Sequence, residues 1–166
     1  MNKETLCFAL MAGGIMAALA AIAGLRLKRQ MIAAGIATGA VIALLNMLVE
    51  FLGARLDVYY VSGPWMLVQT PIPLTVTWLF MTFVFIAGYT VVKRRAPRKS
   101  SVTLYMAAAI VAGWLTDYAF HRVGILTLGK NGSPAMIAAV WIIFVPLTIF
   151  LYELLMALMA GDRDAT

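Results

Sequence analysis

Long apolar stretches broken by short polar blocks set the pattern of this chain. Five of the stretches reach the roughly 20 residues that a helix needs to cross a hydrocarbon core. They run over about 5–25, 31–53, 67–92, 102–124 and 134–160. Arg26, Lys28 and Arg29 close the first, and Lys93, Arg94 and Arg95 close the third. Little chain is left over for a soluble domain. The pattern predicts an all-α fold: a polytopic membrane protein forming a single transmembrane domain over 1–166, a five-helix bundle. The first stretch follows Lys3 and is rich in small residues, as a signal peptide is. Its length and the basic block directly after it predict a retained helix.

Composition agrees with the pattern. Apolar residues make up 63% and charged residues 12%, against about 25% charged in soluble domains. This excludes a disordered chain and an ordinary soluble globule. The net charge of +6 does not mark a nucleic-acid partner, because the basic residues sit in blocks between apolar runs and not along one face. Such blocks orient a membrane protein and meet anionic headgroups. Nine basic residues (Arg26, Lys28, Arg29, Lys93, Arg94, Arg95, Arg98, Lys99 and Arg163) fall on one side and three (Lys3, Arg55 and Lys130) on the other. The expected topology in the cell membrane is N-terminus outside and C-terminus cytoplasmic. The connections with Gly63-Pro64 and Gly132-Ser133-Pro134 then face outward. The one cysteine, Cys7, is expected to be an inert packing residue.

Ionisable side chains inside spans are costly and mark function. Glu50 has Asn46 one turn earlier on the same face; it either lines a cavity or reaches the outer interface. Asp117 and His121 are also four apart, a spacing that lets a carboxylate hold an imidazole, either as an acid–base pair or as a structural pair satisfied internally. Arg122 points about 100° away, toward Glu50, Asp57 or the surface. Glu153 is expected to reach the basic side. Pro146 should kink the last helix or free a carbonyl. With Gln69, these groups fall in the outer half of the bundle, among Tyr59, Tyr60, Trp65, Trp78, Trp114, Tyr118 and Trp141. The first three of these aromatics suit an interfacial belt, and the deeper tryptophans suit cation–π stabilisation of a carbocation. A single histidine argues against a metal centre, since catalytic zinc takes three protein ligands. The spacings Gly13 to Ala17 and Gly35 to Gly39 predict close helix packing.

Spans two and three echo spans four and five. Each pair has an acid (Glu50 or Asp117), an outer Gly/Pro turn, and a returning tryptophan (Trp78 or Trp141), 28 and 24 residues beyond the acid. This suggests a duplicated helical hairpin with one carboxyl from each half at a shared interface.

The segment Glu50-Phe51-Leu52-Gly53, with Pro71-Ile72-Pro73 and Trp78, resembles the integral-membrane carotenoid hydratases, related in character to the membrane lycopene cyclases. Asp117, Gly132-Ser133-Pro134 and Trp141 are similar to that family's later acidic and Gly-x-Pro…Trp pattern. The resemblance covers about residues 46–145. It implies acid catalysis on an isoprenoid double bond without a cofactor. Glu50 or Asp117 would deliver the proton, and Asn46 and His121 would orient the acids. Gln69, Trp78, Trp114, Tyr118, Arg122 and Trp141 would bind the membrane lipid or isoprenoid substrate. The chain is shorter than such enzymes, so a homo-oligomer or a partner membrane subunit would complete the site. An accessory lipid- or pigment-binding subunit and a small proton-coupled transporter are the alternative readings.

Overall fold

A computed structural model describes residues 2–161. Five helices account for most of them: α1 (Lys3–Leu25), α2 (Arg29–Arg55), α3 (Ile72–Arg95), α4 (Lys99–Arg122) and α5 (Pro134–Gly161). All five are long and apolar enough to cross a membrane. At 1.5 Å per residue the shortest is roughly 35 Å long. The protein is therefore an all-α, multi-pass membrane bundle. Large apolar side chains such as Leu44, Leu104, Ile143 and Phe150 are exposed along its flanks, where acyl chains take the place of water.

Local chemistry explains most helix ends. Asn2 caps α1 by accepting from the Thr5 amide at 2.8 Å. The helix stops at Arg26, which adopts a left-handed conformation. The third helix starts at Ile72, five residues later than the apolar run suggests. Two short strands, β2 (Met66–Leu67) and β3 (Thr70–Pro71), first form an antiparallel hairpin. Prolines at 71 and 73 then suit the first helical turn, where no amide donor is needed. The fourth helix spans 99–122 instead of 102–124. Pro146 does not break α5, which runs unbroken from Pro134. The proline is exposed, so its ring lies on the outer side of the helix.

Helix α3 is the hub. α1 and α2 both lie along it, while α4 leans mainly on α5. Gly35 and Gly39 of α2 face α3 as expected, and a Cβ at Gly39 would meet the Leu79 carbonyl. On α1 the packing face is Gly14 and Ala18, both buried; Gly13 has open space around it. The i, i+4 spacing of small residues thus holds one position round from the expected pair. Gly39→Ala should destabilise the bundle by about 1–3 kcal/mol, because backbone cannot yield to the added methyl. Gly13→Ala should stabilise by about 0.5–1 kcal/mol through helix propensity. Denaturant titration of the two variants side by side checks this contrast. Cys7 is fully buried against Leu74 and Ile125, the inert role expected of it.

A strand pair at one end of the bundle ties the two hairpins together. β1 (Tyr59–Val61) follows α2, β4 (Leu126–Leu128) follows α4, and they pair antiparallel. The Gly129 amide donates to the Val58 carbonyl at 2.8 Å, and the Asn131 side chain donates to Leu56 at 2.9 Å. A Cβ at Gly132 would overlap the Val58 carbonyl, so this close lacing requires glycine.

The duplication is visible in detail. Glu50 and Asp117 are 67 residues apart, and the same offset maps one helix exit onto the other. Leu56 (φ −92°, ψ 6°) matches Val123 (φ −93°, ψ 2°). Asp57 and Gly124 both follow with positive φ. Three backbone bonds recur: Leu56 to Leu52, Asp57 to Ala54 and Val58 to Gly53 in the first half; Val123 to Ala119, Gly124 to His121 and Ile125 to Phe120 in the second. The register Tyr59–Leu128, Tyr60–Thr127, Val61–Leu126 is centred on two residues that this offset makes equivalent, as an internal two-fold requires. Beyond the strands the offset becomes 63. It matches Pro71 with Pro134, Trp78 with Trp141 and Tyr89 with Tyr152. Both aromatic pairs touch their own equivalents: the tryptophans stack at 5.0 Å, and the tyrosines meet edge-on at 6.4 Å.

At the opposite end lie the basic connections after α1 and α3. Lys93 bonds Glu153 at 2.7 Å with both side chains largely exposed, so Glu153 reaches the basic side as expected. Such a pair contributes about 0–1 kcal/mol. Arg163, counted in the charge asymmetry, lies outside the described residues.

Candidate functional site

Glu50 and Asp117 lie five residues from the strand-bearing ends of their helices, and Trp78 and Trp141 lie six and seven residues into theirs. At 1.5 Å per residue all four fall in one layer, roughly 8–10 Å below the helix ends. All four thus lie in the same half of the bundle, the half expected for them.

Glu50 is buried, at 6% exposure. Asn46, on the same face of α2, donates from Nδ2 to Oε1 at 2.6 Å. Thr70 of β3 donates from Oγ1 to Oε2. The cavity-lining alternative therefore holds for Glu50. Thr70 is fully buried, because the β2–β3 hairpin folds it back over the end of α2. Thr70 was not among the residues expected at the site. A hydroxyl directly before the Pro71-Ile72-Pro73 run was the available signal.

Asp117 is held differently. Trp141 of α5 donates from Nε1 to Oδ2 at 2.6 Å, and the same indole stacks on Trp78 of α3 at 28°. Gly113, one turn before Asp117, makes this possible: its missing side chain is the space that the Trp141 ring fills. The close pairing expected within α4 does not form. His121 turns its Nδ1 to the Leu126 carbonyl at 3.2 Å and lies exposed near the helix end.

Helix geometry explains the other corrections on α4. At 100° per residue, Gly113, Thr116, Asp117 and Phe120 share the arc that faces α3 and α5. Trp114, Tyr118 and Arg122 occupy the far arc. Trp114 and Tyr118 are exposed and tilt against each other at 6.3 Å. Arg122 is exposed, and Lys93–Glu153 is the one ion pair among the described residues, so Arg122 does not pair with Glu50. Its counterpart Arg55 lies over the Phe51 ring at 5.3 Å. Gln69 is exposed at the turn of the β2–β3 hairpin. Of the ten residues expected at the site, Asn46, Glu50, Trp78, Asp117 and Trp141 converge; His121, Gln69, Trp114, Tyr118 and Arg122 do not.

Two cavities meet at this layer. The larger, about 250 Å³, lies between α3, α4 and α5. Its walls include Trp78, Met81, Phe85, Phe144 and Val145, with Asp117 among the few polar groups. Exposed Met81, Ala112 and Thr116 border it, so it opens sideways toward lipid. The smaller, about 40 Å³, holds Asn46, Glu50 and Tyr59 on one side and Asp117 on the other. Leu74, Trp78, Asp117, Phe120 and Trp141 line both and form the partition. Tyr59 thus belongs to the site and not to the exposed aromatics with Tyr60 and Trp65. Its ring lies where a Cβ on Gly53 would be, and burial pushes its phenol above the usual tyrosine range.

Among the described residues, no group of three or more histidine, cysteine or acidic side chains is placed to hold a metal ion. The arrangement offers two carboxyls in one buried layer, an amide, two hydroxyls and a stacked indole pair above an apolar cleft. Comparison with protein-family models, curated proteins and solved structures finds no match to this chain.

Proposed function

We propose that this protein is a membrane-embedded enzyme that protonates a double bond near the end of a long isoprenoid or similar lipid chain, of the cyclase or hydratase type. One observation carries the reading. Asp117, the carboxyl at the head of the apolar cleft, is held by an indole that is itself half of a stacked tryptophan pair. A proton donor and a cation-stabilising surface are therefore adjacent.

A lipid chain gains nothing by moving from bilayer to an apolar cleft, because both are hydrocarbon. Selection must come from shape and from aromatic faces. Methyl-branched, unsaturated chains offer both. A general acid in contact with the alkene contributes about 10²–10⁴-fold. The cation formed next to Trp78 and Trp141 is attracted to the ring faces, an interaction worth about 2 kcal/mol or more when desolvated. The sideways opening suits a substrate whose tail stays in the bilayer. Basic residues concentrated at the end away from the site support a topology with that end in the cytoplasm; the site then lies in the outer leaflet of the cell membrane.

Of the alternatives, a lipid- or pigment-binding subunit without chemistry is favoured by the same cleft. Transport has less support, since the cleft ends among Phe85, Ala109 and Thr148 and α5 is unbroken. Mass spectrometry of lipids extracted from purified wild type, Glu50→Gln and Asp117→Asn separates these readings. The expected result is a prenyl or polyene lipid with a product of equal mass, or heavier by one water, that disappears in Asp117→Asn and is reduced in Glu50→Gln. Bulk phospholipid alone, unchanged by either substitution, would overturn the enzymatic reading.

A further inference from the structure

The internal two-fold makes Glu50 and Asp117 equivalent in position, and the side chains around them break that equivalence. Asn46 corresponds to Gly113, and Thr70 corresponds to Ser133. In the first half the amide and the hydroxyl both donate to Glu50. In the second half the amide is replaced by glycine. The serine hydroxyl instead accepts from the Met136 amide at 3.4 Å, and Trp141 takes over as donor to Asp117. The cavities divide in the same way. Glu50 lines only the small polar one, and Asp117 lines both.

At about 40 Å³ the small cavity exceeds the roughly 10–15 Å³ that one water needs, and a buried water wants two to four polar partners. Asn46, Glu50, Tyr59 and Asp117 supply them. The Tyr59 hydroxyl makes no hydrogen bond to another described residue, and it is not among buried groups lacking a partner. Tyr59 lines the cavity. The remaining walls are apolar: Val61, Leu74, Trp78, Phe120, Leu126, Ile137, Val140 and Trp141 come from β1, α3, α4, β4 and α5. Glu50, Tyr59 and Asp117 are thus the titratable groups lining it.

We propose that this cavity binds water between Glu50 and Asp117, so that the two carboxyls share one exchangeable proton, with Asp117 facing the substrate and Glu50 held in reserve behind the tryptophan partition. The water site stands on geometry alone; its use in turnover rests on the function proposed above. In turnover the Asp117 O–H bond breaks as the alkene π pair forms a new C–H bond, leaving a carbocation and a carboxylate. The shared proton reaches Asp117 beforehand, relayed through the water from Glu50, so Glu50 is already charged at this step. When the cation collapses to an alkene, the proton it sheds returns to one of the two carboxylates, and nothing is consumed.

Infrared spectroscopy of the carboxyl bands tests this on the full chain in lipid nanodiscs, titrated with pH, for wild type, Glu50→Gln, Asp117→Asn and Val140→Phe. Groups that share a proton titrate as a pair, with coupling of about one pH unit or more. The Asp117 midpoint should therefore differ about tenfold or more in proton affinity between wild type and Glu50→Gln. Val140→Phe, which fills the cavity, should reduce that difference with helicity kept. Tyr59→Phe, which keeps the ring and removes the hydroxyl, should weaken it should the larger substitution disturb folding. An Asp117 midpoint unchanged by Glu50→Gln would overturn the shared proton, even in a protein that turns over lipid. Coupled carboxyls in a protein that leaves prenyl lipids unaltered would overturn the enzymatic reading and leave the water site standing.

Discussion

Asp117→Asn should abolish turnover while leaving the bundle folded. Asparagine keeps an oxygen that can accept from Trp141 Nε1, so the 2.6 Å contact and the stacked tryptophan pair can persist. What it removes is the one acidic proton at the head of the apolar cleft. The expected loss is the full general-acid contribution, about 10²–10⁴-fold in rate. Product in the extracted lipid measures it, with tryptophan fluorescence and helicity as controls for structure. Retention of more than about a tenth of the activity would remove Asp117 from the proton-donor role. Glu50→Gln, acting through the small cavity, should slow turnover without displacing the indoles.

Gly113→Ala should destabilise the bundle and unseat the indole pair. The Trp141 ring lies directly over the α-carbon, where a Cβ would overlap the indole. The ring has to swing away, α4 has to retreat, or both. Overpacking of this kind costs about 1–3 kcal/mol. Leaving Asp117 without its donor costs about 1–3 kcal/mol more. α4 has little to offset this, because Gly113 is its one buried residue. A lowered denaturation midpoint, a red-shifted tryptophan emission and loss of the pair's exciton signal are expected together. Gly24→Ala, with open space around it, is the control and should change none of them. An unchanged emission in Gly113→Ala would mean that the indole pair does not depend on this seat.

The α4 residues show how far local pattern reaches. Asp117 was legible because a carboxylate in an apolar run is conspicuous. Glu50 with Asn46 was legible because i, i+4 neighbours share a face, and that hydrogen bond forms. The same rule misled at His121. Spacing permits contact with Asp117, but two better partners, the Leu126 carbonyl and the Trp141 indole, come from other elements. Trp114, Tyr118 and Arg122 were drawn in by nearness along the chain, and helix rotation carries them to the opposite arc. Gln69 sits beside Thr70 in sequence, yet only Thr70 is folded inward.

The sequence by itself determined five membrane helices, the gathering of acids and tryptophans toward one end, and a repeat between the two hairpins. Each follows from the cost of placing polar groups in hydrocarbon, which acts position by position and leaves its record in the order of residues. Only the tertiary structure decided which carboxyl meets which donor, that β1 and β4 join the halves, and that one acid faces the cleft while its equivalent is sealed behind it. Those outcomes depend on residues 20 to 69 positions apart being brought together around α3. Glycine seats and indole volumes set how closely the helices approach, and no local periodicity encodes that distance.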